Sequence, residues 1–366
     1  MYRAHVVGSL LRPQTLIAAR EQRDRGQLSA HEFKRLEDAA VDEAIRLQEA
    51  CGIELITDGE QRRYLFTDSF GASVEGIELV ANEDPTAQIW HDHEGRTVKS
   101  QRPTFLPVIT RKLARGHSLA TEEYSYARAR AQRPLKVTLP SPTCALIYWS
   151  QRHSRAAYPG AAAALRDAAE LLRAEIRHLA ALGCEHVQID APELTMAIDP
   201  ASAKVYEQAG FTRDGFLSEA MTLLNVVAGS SPVELSVHLC RGNNQGLWHS
   251  RGGYEAISKQ CFPALKRFRY VLLEFDDERS GSFAALRDLP EDCVAVLGLV
   301  STKRQALESL PALTARLQEA GRYIARERLA VSPQCGFASA LFGNPLTPEE
   351  QAAKLRLVSA LAHEIR

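Results

Sequence analysis

The chain has no excess of charge of either sign: 44 Lys and Arg stand against 45 Asp and Glu, a net charge of -1. That balance gives no electrostatic footprint for nucleic acid or for an anionic membrane surface. No apolar run is long enough to cross a bilayer, and the N-terminal residues show no secretory signal pattern. Seven cysteines, odd in number and irregular in spacing, argue against a disulfide framework. A reducing, cytoplasmic setting is therefore expected, with cysteines serving as packing residues or ligands. Solenoid repeats and low-complexity tracts are also missing. What is there is 366 residues, 45% of them hydrophobic, enough for a large core. Nothing in the sequence speaks to oligomeric state.

Eight short apolar runs recur: AHVVGS, IELITDG, LKVTLPSP, HVQIDAPE, ELSVHLC, YVLLEFD, VAVLGLVS and LAVSPQCG. Their length and β-branched content read as buried strands. Helical patterns lie between most of them, clearest over 29–50, 161–183 and 302–321. The first opens with a capping box, Ser29 followed by Glu32, and two end at Gly183 and Gly321. Strands alternating with helices imply a parallel sheet, and eight such units with right-handed crossovers close into a single (β/α)8 TIM barrel. The stretch 62–134 is too long for one βα unit. It is read as a hairpin-like insertion after strand two, with GASVEGIELV and GRTVKSQRPTFLPVIT as its strands. The polar NEDPTAQIWHDHEG between them is read as a solvated loop, so that His91, Asp92 and His93 are not metal ligands.

If the barrel forms, the residues ending each strand share one mouth. Four of them have metal-ligand chemistry: His238 and Cys240 in VELSVHLCRGN, Glu274 in YVLLEFDDERSG, and Cys335 in LAVSPQCGF. Two thiolates, an imidazole and a carboxylate suit tetrahedral Zn²⁺. Each residue alone is as readily a packing or capping group; the joint placement carries the reading. Asp58, Glu60 and Asp190 also end strands, where two roles are open to them: helix N-caps or ligand-binding carboxylates.

These motifs resemble the cobalamin-independent methionine synthase family, in particular short members similar to its C-terminal catalytic domain. HVVGSLLRP, ITDGEQRR, VQIDAPEL, HLCRGN, LEFDDERSG and SPQCGFAS fall in the family's order across nearly the whole chain. The resemblance implies a zinc-dependent methyltransferase that makes methionine from homocysteine, with 5-methyltetrahydrofolate or a simpler methyl donor. It implies zinc on His238, Cys240, Glu274 and Cys335, and homocysteine held by Ser9, Glu60 and Asp190. The sequence departs from the family at Asp190-Ala191-Pro192-Glu193 and at Ser301-Thr302-Lys303, and it has no second barrel. An Asp-Ala-Pro fourth strand is also similar to the epoxyalkane:coenzyme M transferases, so alkylation of another thiol is an alternative reading. A zinc-free barrel decarboxylase and a non-catalytic zinc-binding barrel are further alternatives.

Elementary chemistry supplies the remaining expectations. The substrate's carboxylate suits the guanidinium fork of Arg12. A folate donor needs protonation at nitrogen, for which Lys303 is the candidate acid, with a solvated lysine in a first helical turn as the competing reading. Trp149 is read either as a stacking face for a pterin or as core.

Overall fold

The computed structural model describes residues 1–83, 88–100 and 103–365. In chain order its strands are β1 (Val74–Ala81), β2 (Gln88–His91), β3 (Thr97–Ser100), β4 (Phe105–Arg115), β5 (Lys136–Pro140), β6 (His186–Asp190), β7 (Glu234–Leu239), β8 (Tyr270–Glu274), β9 (Val294–Val300) and β10 (Leu329–Pro333). Six of them form one sheet in the order β10-β9-β8-β7-β6-β5, parallel throughout. Nearly every residue of these six strands is buried, as expected of a parallel sheet covered on both faces.

Alternate residues serve two different cores. Val271, Leu273, Ala295, Leu297, Leu329 and Val331 join the large cluster that includes the helices. Tyr270, Leu272, Val294, Val296 and Ala330 point the other way and pack with Val7 in a small separate cluster.

The first two expected strands are reduced to bridges. Ala4 pairs with Val331, His5 with Leu55, and Ile56 with Leu135, all in parallel. These contacts link β10 through residues 4–5 and 55–56 to the start of β5. Side chains take over the rest of the ladder. Lys136 Nζ donates to Val6 O, Gln188 Nε2 to Val7 O, Thr57 Oγ1 to Gly8 O, and Gln48 Oε1 accepts from Thr57 N. The backbone is satisfied without regular strand pairing, which is why these runs read as strands and form almost none.

The helices follow their sequence signals in part. Ala30–Ala50 has the complete Ser29–Glu32 capping box, and Ala161–Ala181 is followed by Gly183 at φ 87°. The third helix starts late, at Leu310 behind its Ser309 cap, so 302–308 is loop. Ser309 and the Pro311 that follows it supply a stronger start than Thr302. Lys303 is therefore not a first-turn helical lysine.

The insertion is more ordered than its polarity suggested. β1 and β4 form the antiparallel hairpin, with a register shift between Glu75 and Ile77 at Gly76, which has φ 97°. The second expected strand is divided, because β3 pairs separately with β2; its residues 101 and 102, like 84–87 of the polar stretch, lie outside the described residues. His91 is not on a solvated loop. It exchanges backbone hydrogen bonds with Trp248 at 2.8 and 2.9 Å and stacks on its ring at 4.4 Å. Asp92 instead caps the β2–β3 turn, accepting from Glu94 N and Arg96 N. A helix the sequence did not announce, Leu119–Arg128, starts at Ser118.

That helix is fastened by a buried ion pair. Arg63 donates to both Glu123 oxygens, at 2.6 and 3.0 Å, and to Thr138 Oγ1, Thr138 O and Phe66 O. Removing one partner of a buried pair strands the other charge and several carbonyls. Arg63→Met is expected to cost about 3–5 kcal/mol, seen as a lower denaturant midpoint. An unchanged midpoint would refute the anchoring role.

Candidate metal centre and the polar mouth around it

Because the sheet is parallel, the C-terminal ends of its strands lie on one edge. Asp190 ends β6, Cys240 follows β7, Glu274 ends β8, Ser301 follows β9 and Cys335 follows β10. The Cys240 and Cys335 sulfurs are 3.4 Å apart. Together with a ring nitrogen of His238 they place three ligand atoms within 4.8 Å of one another, all on buried residues. Neither nitrogen of His238 has a hydrogen-bond partner. An imidazole stripped of water and left unpaired is costly unless a cation completes it. In a tetrahedral site with Zn–S of ~2.3 Å the sulfurs would stand about 3.8 Å apart, close to what is seen. The hydrogen bond from Cys240, with His238 behind it, holds the Cys335 thiol well below its ordinary pKa, and Cys240 is pushed up in return. The donor set fits a thiophilic divalent ion.

Glu274 does not join that cluster. It is fully buried, but its Oε2 accepts from Arg241 N at 2.8 Å. Its Oε1 takes Lys303 Nζ at 3.0 Å and Arg279 Nη2 at 3.5 Å. Burial alone would raise its pKa; Lys303, Arg279 and Arg241 outweigh that and hold it at about 2. Lys303 is thus committed to Glu274 and buried, not free in the mouth as a proton donor. Burial lowers its pKa, but Glu274 and Asp276 more than reverse this and keep it above its ordinary value. Asp276, which sequence reasoning missed, completes the group by accepting from Ser301 Oγ at 2.6 Å. Its only sequence signal was its place two residues beyond Glu274.

The substrate residues divide. Gly8 lets the first loop close on the second and Gly336 lets the last close on the first: a Cβ on Gly8 would lie 2.3 Å from Glu60 Oε1, and one on Gly336 2.1 Å from Ser9 Oγ. Ser9 Oγ accepts from Ala338 N at 3.3 Å. Glu60, at φ 53°, sits in a turn capped by Asp58, whose Oδ1 accepts from Glu60 N. Asp58 is therefore a turn cap and not a helix cap. Glu60 Oε1 takes Thr138 Oγ1 at 2.7 Å, while its Oε2 is buried with no partner. Asp190 Oδ1 accepts from Gln188 at 2.7 Å. Burial raises the Asp190 pKa to about 7; Glu60 adds to the rise and His238 opposes it.

Two expectations are corrected. Arg12 is not a free fork: it donates to Ala338 O, Ala340 O and Glu60 O at 2.9–3.0 Å, tying three loops together. The loop carbonyls engage both of its terminal nitrogens, and Nε is left buried without a partner. Trp149 packs against the main core, the structural reading of the two. Glu193 is buried and accepts from Cys144, Ser141 and Thr143.

With this geometry in view, the comparisons are specific. Residues 3–362 match the family described as "Cobalamin-independent synthase, Catalytic domain". The chain belongs to the cobalamin-independent methionine synthase family. Within that family it is 30% identical to "Uncharacterized protein YxjG" of Bacillus subtilis (strain 168), covering all of this chain and 94% of that protein. It is 25% identical to the 5-methyltetrahydropteroyltriglutamate--homocysteine methyltransferase of Thermosynechococcus vestitus over 88% of this chain and only 39% of the longer enzyme. A putative vitamin-B12 independent methionine synthase from Listeria monocytogenes shares the fold with a TM-score of 0.74 at 23% identity, covering 100% and 98% of the two chains. The B12-independent methionine synthase from Shewanella sp. W3-18-1, solved in complex with selenomethionine, does so at 0.73 and 19%, covering 99% and 97%.

The three-residue centre makes a direct prediction. Cys240→Ser and Cys335→Ser should lose a bound divalent metal, while Glu274→Gln keeps it. Elemental analysis of gel-filtered protein decides this, and full metal in Cys335→Ser sinks the assignment.

Proposed function

We propose that this member of a methyltransferase family is a zinc-dependent enzyme that methylates the thiol of homocysteine, on a single (β/α)8 barrel. The two bridge segments and the inward cluster around Val7 support closure of the sheet into that barrel. One observation carries the substrate reading: two buried, incompletely satisfied carboxylates, Glu60 and Asp190, stand beside a His/Cys/Cys cluster. The cluster calls for a thiol and the carboxylates for an ammonium, so the ligand is an amino thiol.

His238, Cys240 and Cys335 would hold the zinc. A bound zinc ion supplies deprotonation of an incoming thiol while keeping it nucleophilic. The chain's own groups do the rest. Glu60 Oε2 and the free oxygen of Asp190 take the ammonium. The Ser9 hydroxyl, held in place by the Ala338 amide that donates to its oxygen, faces the carboxylate end. Lys303 and Arg279 keep Glu274 anionic and in reserve near the cluster, so that it is available as a further ligand without being one at rest. Lys303, engaged by Glu274, is not placed to protonate a folate nitrogen directly, which favours a methyl donor that needs no proton.

Two outcomes test this. Asp190→Asn is expected to raise KM for homocysteine by about tenfold or more, the worth of one charge-assisted hydrogen bond, with metal content unchanged. Equal use of homocysteine and of its amine-free analogue by unmodified protein would overturn the acceptor. Lys303→Met, acting through Glu274, should slow single-turnover methyl transfer equally from a methyl-folate, a methyl corrinoid and a sulfonium. Slowing confined to the folate would restore Lys303 as the acid.

A further inference from the structure

Lys136 is a cation placed where an aliphatic residue would be cheaper. It projects from β5 and is wholly buried, and among the described residues no carboxylate lies within ion-pair reach of it. This side of the sheet is apolar toward β8–β10, where Val7, Tyr270, Leu272, Val294, Val296 and Ala330 pack, and polar beside Lys136, where Thr138, Gln188 and Ser236 are buried. A buried, unpaired ammonium is expensive. Burial drags the Lys136 pKa down to about 7, and only the more distant Asp190 and Glu60 pull it back. Those are the two carboxylates assigned above to the substrate's amine.

The connection is a chain of hydrogen bonds. Lys136 Nζ donates to Val6 O and to Gln188 Oε1, each at 2.5 Å. Gln188 Nε2 then donates to Val7 O at 2.8 Å and to Asp190 Oδ1 at 2.7 Å. A lysine has donors only, a carboxylate acceptors only, and an amide has one end of each kind. Gln188 therefore has one workable orientation: its oxygen towards Lys136 and its NH2 towards Asp190. Turned over, it would set NH2 against ammonium and oxygen against carboxylate. Lys136 on one side and Val7 O on the other thereby decide which end of Gln188 meets Asp190. Oδ1 is committed, and Oδ2 is the oxygen left to meet a ligand.

We propose that Lys136 and Gln188 form a positioning relay that holds Asp190 with one oxygen presented to the substrate's ammonium. Neither residue touches substrate; both act through Asp190. The inference rests on the amino-thiol reading and adds the residues that set its selectivity for the amine.

The test uses the intact, metal-loaded protein and two acceptors, homocysteine and 4-mercaptobutyrate, which is homocysteine without the amine. The informative variants are Lys136→Met and the isosteric Gln188→Glu. The glutamate keeps the contact with Lys136 but turns a carboxylate oxygen on Val7 O and Asp190 in place of the amide donor, so a merely structural role predicts a loss of stability that leaves the acceptor preference unchanged. The relay predicts that the preference in kcat/KM for homocysteine over 4-mercaptobutyrate falls roughly tenfold in both variants, through KM and not kcat, with metal content retained. If Lys136→Met does not fold, Gln188→Glu alone decides. A preference that survives in Gln188→Glu overturns the relay and leaves the amino-thiol reading standing. Unmodified protein with no preference between the acceptors overturns both.

Discussion

Everything at this site depends on the shared direction of the strands. In a parallel sheet each C-terminus reaches the same edge, so residues 95 positions apart, Cys240 and Cys335, can bring their sulfurs to 3.4 Å. The register sets the neighbours as well: Asp190 lies opposite His238, and Glu274 opposite Gly298. Gly298 matters because a Cβ there would meet the 333–334 backbone at 2.7 Å, in the turn that leads to Cys335. A small residue on one strand thus lets a ligand on the next come close.

Around that edge the charges sort into two groups. On one side Glu274 and Asp276 are answered by Lys303, Arg279 and the amide of Arg241, and the group is nearly complete. On the other, Asp190 has one oxygen engaged by a neutral donor, and Glu60 has one engaged by Thr138 and, at 3.7 Å, by Arg63, its second oxygen being without a partner. In the first group Glu274 is built to hold its charge at rest, while burial, with Glu274 and Asp277 nearby, pushes Asp276 up to about 6. The second group is built to receive a charge. Burial makes the contrast sharp, because at low dielectric an unanswered carboxylate gives up its charge while an answered one keeps it.

The insertion joins this arrangement from outside the sheet. Its β2–β3 hairpin pairs with residue 248 of the loop after β7, and Trp90 packs within 3.2 Å of where a Cβ would stand on Gly242, whose amide donates to Cys240 Sγ. Trp248 in turn lies 4.9 Å from the Arg279 guanidinium that touches Glu274. The hairpin therefore braces both the thiol and the carboxylate sides, although its first strand, Gln88–His91, lies in the stretch read from sequence as a solvated loop.

What the sequence determined by itself was the alternation of strand and helix, the family, and which residue types end each strand. Short β-branched runs, the Ser29 capping box and the HLCRGN and SPQCGF motifs are local signals, and local physics suffices to read them. Which of those residues act together was decided by tertiary structure. Arg12 was read as a substrate-binding group and Lys303 as an acid, but loop carbonyls and Glu274 engage them in the fold. Lys136 and Gln188 looked like ordinary strand residues and emerge as the support of Asp190. The two opening runs read as strands, yet side chains from β5, β6 and the Ala30–Ala50 helix take their ladder positions. In each case the deciding partner is distant in the chain, and a hydrogen bond or ion pair in a buried site goes to whichever group the packing brings within reach.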